Sequence, residues 1–223
     1  MTRATNARIA GFTLLAYIAA GITSMVLFRR AAGGEGVAAK LAGLAAHASD
    51  AGALVVLGLV QCFSAVVLAV TLYAITRDED GDLAMLGLVC RVGEGVIAAL
   101  SILALRTLFW LATASGADAP DTAAAHALAA YLLRDDVALT AMFFAVGSLA
   151  FAYLLLRGRM IPVPLAWLGV VASVVLVVAL PLQLAGWLHG PITQLLWLPM
   201  LAFEVPLGLW LLIRGHTFAQ GIE

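Results

Sequence analysis

Six runs of predominantly apolar residues, each long enough to cross the hydrocarbon core of a bilayer as a helix, divide this sequence. They extend over Ile9 to Phe28, Ala53 to Ile75, Leu83 to Thr113, Val137 to Leu156, Val163 to Ala185, and Pro191 to Ile213. The fold class this implies is all-α: a polytopic integral membrane protein, with residues 1–223 forming one six-transmembrane-helix bundle. The first run is longer than the apolar region of a signal peptide and, although Ala31 and Ala32 follow it, reads as an uncleaved span. The third is longer than a bilayer requires, so it is expected to tilt or to project into water.

Composition supports the same class. Of 223 residues, 64% are hydrophobic and only 11% charged, more apolar surface than one soluble core of this length can bury. Membrane lipids are the partner this predicts. The 12 basic and 13 acidic residues nearly cancel, leaving no field for a polyanion, so no nucleic acid partner is expected. Cys62 and Cys90 fall inside apolar runs without metal-ligand spacing and read as small apolar side chains. His47, His126, His189 and His216 lie in connections or near span ends, which provides no facing pair of axial ligands for haem. Gly93 and Gly95 resemble part of a nucleotide-binding glycine pattern, but no strand precedes them and close helix packing is the better reading. No metal and no cofactor are expected.

The connections are unequal. Arg29 to Gly52 and Ala114 to Asp136 are long, whereas the others are short turns marked by Asp80-Gly81-Asp82, Arg157-Gly158-Arg159 and Gly190-Pro191. Both long connections therefore lie on one side of the bundle. In the first, Val37, Leu41, Leu44 and Ala48 recur at helical spacing; in the second, Pro120 can open a helix that groups Leu128, Tyr131 and Leu132. Each is either a short helix on the membrane surface or over the bundle, or an alanine-rich loop. Leu154-Leu155-Leu156-Arg157-Gly158 and Leu211-Leu212-Ile213-Arg214-Gly215 end two spans alike, which reads as a shared interfacial stop rather than a repeat.

Positive charge is retained preferentially in the cytoplasm. Arg3, Arg8, Arg77, Arg157, Arg159 and Arg214 lie on the side of the termini, against Arg29, Arg30, Lys40 and Arg134 spread over longer segments opposite. Both termini are expected in the cytoplasm, although Arg29 and Arg30, abutting the first span, argue the other way.

Ionisable groups at hydrocarbon depth cost several kcal/mol unless paired or wet, which makes each a candidate functional group. Arg91, Glu94 and Glu204 qualify. Arg91 and Glu94, three residues apart, share a helix face and can pair. At about 1.5 Å rise per residue all three sit at one depth, roughly 12 to 17 Å from the inner ends of their spans, and the same count brings Tyr17, Ser148 and Ser173 to that level. A polar cluster in the inner half of the bundle is the expectation, with Arg91 facing Glu94 and in reach of Glu204. One guanidinium facing two carboxyls leaves one negative charge to be discharged by a proton. Such a group suits proton-coupled movement of a solute, acid catalysis on a lipid-like substrate, or a buried hydrogen bond that only fixes packing. Pro199 and Pro206 flank Glu204 and each removes an internal hydrogen bond, a way to open a helix beside a ligand. Gln61, Arg106, Gln183 and Gln194 can line a vestibule toward the other face, with Arg106 reaching the interface near Trp110. Trp167, Trp187, Trp197 and Trp210 are candidates for interfacial belts.

The chain resembles the bacterial integral membrane family called domain of unknown function 4386. The resemblance runs through Ala7-Arg8-Ile9-Ala10-Gly11-Phe12, Leu72-Tyr73, Arg91 with Glu94, Ile161-Pro162 with Leu168-Gly169, and Glu204 before Trp210-Leu211-Leu212-Ile213-Arg214-Gly215. It implies a six-span protein and directs attention to Arg91 and Glu94, without an activity to carry over. Cys90 stands where the pattern would have an aromatic residue. The leading functional expectation is a non-enzymatic bundle enclosing a cavity for a small or lipid-like hydrophobic ligand. The alternatives are a membrane-embedded enzyme acting on an isoprenoid or fatty substrate through Glu94 or Glu204, and a structural or partner-binding subunit.

Overall fold

The computed structural model describes residues 1–116, 119–133 and 138–215; Arg134, Val137 and His216 of the preceding reading lie outside them. The elements in chain order are α1 (Arg3–Ala31), α2 (Gly36–Ala46), α3 (Asp50–Thr76), α4 (Gly81–Thr113), α5 (Thr122–Leu132), α6 (Ala138–Arg157), α7 (Val163–Leu184), the single turn α8 (Ile192–Leu195) and α9 (Leu198–Arg214). No strand occurs among the described residues. Lipid offers no partner for backbone N–H and C=O groups, and helices satisfy them internally. Six helical stretches are long and apolar enough to cross a bilayer, α8 and α9 together making the last. The protein is a multi-pass, all-α membrane protein.

Local chemistry sets several of the ends. The Thr2 hydroxyl accepts from the Thr5 N–H at 3.1 Å, and the Asp80 carboxylate accepts from Leu83 N–H at 3.1 Å, each satisfying a donor that the first helical turn leaves open. Asp121 does the same for Ala124 at 2.8 Å, so the helix after Pro120 starts at this aspartate cap.

Neighbouring spans follow the order α1, α3, α4, α6, α7, α9, and α9 returns to pack on α1. The spans thus stand in a closed ring. Glycines set its closest crossings. A Cβ on Gly11 of α1 would lie 2.5 Å from the Gly208 carbonyl oxygen of α9, and Gly147 of α6 leaves room for the stem of Arg91, whose Cγ would be 2.9 Å from an added methyl. Gly93 and Gly95 act as packing residues too, against the Phe143 ring and the Cys62 carbonyl. Outward-facing Phe12, Phe63, Leu100 and Ile213 remain more than half exposed, as side chains solvated by lipid do.

The ring has two apolar cores. One fills the half nearer the start of α1, here called the inner half, with Leu14, Leu68, Leu154, Phe151, Leu176, Phe203 and their neighbours. The other lies at the outer end, where Leu41 and Leu44 of α2 and Ala125 and Ala129 of α5 close over Leu108, Phe109 and Leu111 of α4. Both long connections therefore contain helices that fold over the bundle. The 33 residues of α4 span about 50 Å at about 1.5 Å each, well beyond the hydrocarbon core, and its outer end is the part clothed by α2 and α5. In the first connection Leu41 and Leu44 are buried as the spacing predicts, while Ala48 is exposed. In the second, the small side chains of Ala125 and Ala129 let α5 approach closely and Leu132 packs beside them, whereas Leu128 and Tyr131 point outward. At the inner end Arg3 donates to the Ile75 carbonyl at 2.6 Å, and Arg157 pairs with Asp80 at 3.3 Å.

Candidate intramembrane site

Arg91 and Glu94 are each 1% exposed, on the face of α4 turned into the ring. Their three-residue spacing brings Arg91 Nη1 to 2.9 Å from Glu94 Oε2. The other carboxylate oxygen of Glu94 accepts from the Tyr17 hydroxyl of α1 at 2.7 Å. Both oxygens of Glu94 are thereby engaged, one by a cation and one by a phenol. The guanidinium carbon lies 4.8 Å from the centre of the Phe144 ring and 5.6 Å from that of Tyr17, so its faces meet π-systems rather than lipid. A desolvated contact of that kind contributes on the order of 2 kcal/mol. The Arg91–Glu94 contact is an ion pair without hydrogen-bond geometry, and none of the guanidinium nitrogens has a hydrogen-bond acceptor among the described residues.

Glu204 of α9 differs from Glu94. It is buried, and among the described residues no hydrogen bond or ion pair reaches its carboxyl. It borders two spaces. One is a gap of about 20 Å³, shared with Arg91 and Ser148 and walled by Leu14, Leu68 and Phe151. That gap has the size of a single water molecule.

The second space is far larger. A cavity of about 590 Å³ runs from Tyr17, Glu94 and Glu204 through the outer half of the ring toward Phe28, Leu54 and Leu105 beneath the cap of α2 and α5. Its walls come from α1, α3, α4, α6 and the start of α9, with Ile18, Ile22, Met25, Ile102, Phe144 and Trp197 supplying apolar surface. Polar groups are sparse: Ser24, Gln61, Ser101 and Thr140, of which Gln61 reaches the Ser24 hydroxyl at 3.3 Å. A volume of this order, mostly apolar with a few convergent polar groups, is what small-molecule sites have. Among the described residues, Glu94 and Glu204 are the only charged side chains that line it.

The structure thus joins Arg91, Glu94 and Tyr17 by direct contacts and brings Ser148 and Glu204 to the gap beside Arg91. Ser173 is not part of this constellation. It is fully buried on α7 with its hydroxyl unpartnered, and α6 stands between α7 and α4 in the ring. Of the residues read as a vestibule, Gln61 lines the cavity, whereas Arg106 lines a separate lateral depression with Leu103, Thr107 and Trp110. Gln183 and Gln194 border neither. Trp197 is half-buried at the start of α9 and lines the cavity, its ring 5.8 Å from that of Phe144. Phe144 itself has no sequence signal, since one phenylalanine in an apolar span reads like any other. No group of three or more His, Cys, Asp or Glu side chains is placed to hold a metal among the described residues.

Comparison with known proteins gives one family. The family model described as Domain of unknown function (DUF4386) matches residues 9–215. No curated protein and no solved structure matches the chain.

Proposed function

The chain belongs to the DUF4386 family, and we propose that in this member the six-helix ring is a receptacle for a small or lipid-like ligand, held in the intramembrane cavity with its polar end at Glu204. The observation that carries this reading is the unengaged, buried carboxyl of Glu204 at the floor of a cavity of about 590 Å³. A buried polar group without a partner is costly, and a ligand that supplies the partner recovers that cost on binding. Glu94 suits a different task, because Tyr17 and Arg91 already occupy its oxygens and it fixes the floor.

Two features favour occupancy over plain packing. The inner core is close-packed, yet the outer half of the same ring keeps its space although the walls are apolar and adaptable, Met25 among them. The cap of α2 and α5 packs against Phe28, Leu54 and Leu105, the cavity's outermost lining residues, and shields that end of it.

The test is thermal unfolding of the full chain in phosphatidylcholine nanodiscs, with and without a bacterial lipid extract. A ligand present at 100 times its Kd stabilises by about 2.7 kcal/mol, or roughly 5 to 10 °C for a chain of this size. Ala98, which lines the cavity on α4, is the position for the control. Ala98→Trp fills the space and is expected to abolish the shift while leaving the fold intact. An equal shift in wild type and Ala98→Trp would place the effect on the protein surface and remove the cavity reading.

A further inference from the structure

We propose that the cavity selects a single-chain amphipath with a cationic, hydrogen-bond-donating head, of which a primary alkylamine is the simplest example. This inference rests on the cavity being a ligand site and concerns which chemistry it takes.

Size comes first. At about 30 Å³ per water-sized group, about 590 Å³ holds roughly 20 such groups. One alkyl chain with a compact head fits within that space. The wall residues Ile18, Ile22, Met25, Ile102 and Phe144 are an apolar lining suited to a hydrocarbon chain.

Charge comes second. The floor presents carboxyl groups from two helices, Glu94 of α4 and Glu204 of α9, together with the Tyr17 phenol. The single nearby cation is held back from the cavity: Arg91 lies over the rings of Phe144 and Tyr17, does not line the cavity, and borders instead the small gap that it shares with Glu204. It is also committed to Glu94 at 2.9 Å. An anionic head would therefore meet Glu204 in a medium of low dielectric, while the nearest cation is paired with Glu94 and outside the cavity's lining. An ammonium head offers three donors to Glu204 and, by displacing the proton that otherwise discharges this carboxyl, balances its charge as Arg91 balances that of Glu94. The cavity is built to tell charge apart, because no other charged side chain lines it among the described residues.

Three ligands of equal chain length decide the matter: dodecylamine, dodecanol and dodecanoate, each below its micellar concentration at pH 7. They are added to the full chain in phosphatidylcholine nanodiscs, with thermal unfolding as the readout. The expected result is a rise of about 5 °C or more with dodecylamine in wild type, little with dodecanoate, and no rise with any of the three in Ala98→Trp. Glu204→Gln is expected to lose the advantage of the amine over the alcohol; the wild-type series stands by itself should that variant not fold. A shift with dodecanoate or dodecanol as large as with dodecylamine, absent in Ala98→Trp, overturns the head-group selectivity and leaves the cavity as a binding site. No shift with any of the three, together with none from the lipid extract, overturns both.

Discussion

Arg91 and Glu94 bring opposite charges into the membrane on a single helix face, already paired at 2.9 Å, and Tyr17 and Phe144 complete their surroundings. Removing one member of such a pair leaves the other buried and uncompensated, which costs about 3 to 5 kcal/mol, whereas replacing both by apolar groups of similar volume is often neutral or stabilising. Arg91→Met is therefore expected to lose about 3 kcal/mol or more in reversible unfolding, and Arg91→Met combined with Glu94→Leu to recover most of it. A double variant as unstable as the single one would show that the guanidinium acts through its aromatic contacts instead. The pair is legible from sequence because charge inside an apolar run is conspicuous, and helical rise gives its depth. Depth does not give direction around the ring: Ser173 shares the level of Arg91 but stands on α7 and lines neither the gap beside Arg91 nor the cavity. The separate fates of Glu94, with both oxygens engaged, and Glu204, with neither, lie equally beyond what residue counting can reach.

Among the elements, α1 and α9 cross at backbone contact. Ala ordinarily stabilises a helix over Gly by up to about 1 kcal/mol. At Gly11 the added methyl would sit 2.5 Å from backbone atoms of both Gly208 and Leu212, which cannot yield without separating the helices. At Gly208 the nearest atoms belong to the flexible end of Leu15, at 2.9 Å. Gly11→Ala is expected to lower Tm by several degrees and Gly208→Ala by much less, read by thermal unfolding of the two purified variants; equal effects would mean that the crossing relaxes as a whole. The spans themselves are legible because a bilayer demands long apolar runs and tolerates little else. The face that α5 buries is not, since hydrophobicity ranks Leu128 and Tyr131 above Ala125 and Ala129 while close approach to α4 favours the smaller pair.

For the whole molecule, the start of α1 and the end of α9 lie on the same side of the bundle, where Gly215 lies against Ala4 and Arg8. The excess of arginine there predicts a cytoplasmic location. With Cys62 and Cys90 replaced by alanine, an impermeant maleimide applied to intact cells should label Glu35→Cys, ahead of α2, and leave Asp82→Cys, at the start of α4, unlabelled until the cells are opened; the reverse pattern would invert the orientation. The closed ring also bears on how the protein is made. Its first helix waits for its last: α1 finds one of its two ring neighbours only when α9, the final span of the chain, has left the ribosome. Until then the nascent bundle is a horseshoe with α1 and α7 bordering a gap. Arg91 and Glu94, neutralised within one helix, can enter the membrane before that moment, but Glu204 arrives with the closing piece. The acidic floor is thus finished by the same event that seals the wall, and a chain cut short before α9 would present the quality-control machinery with an open edge rather than a smaller receptacle.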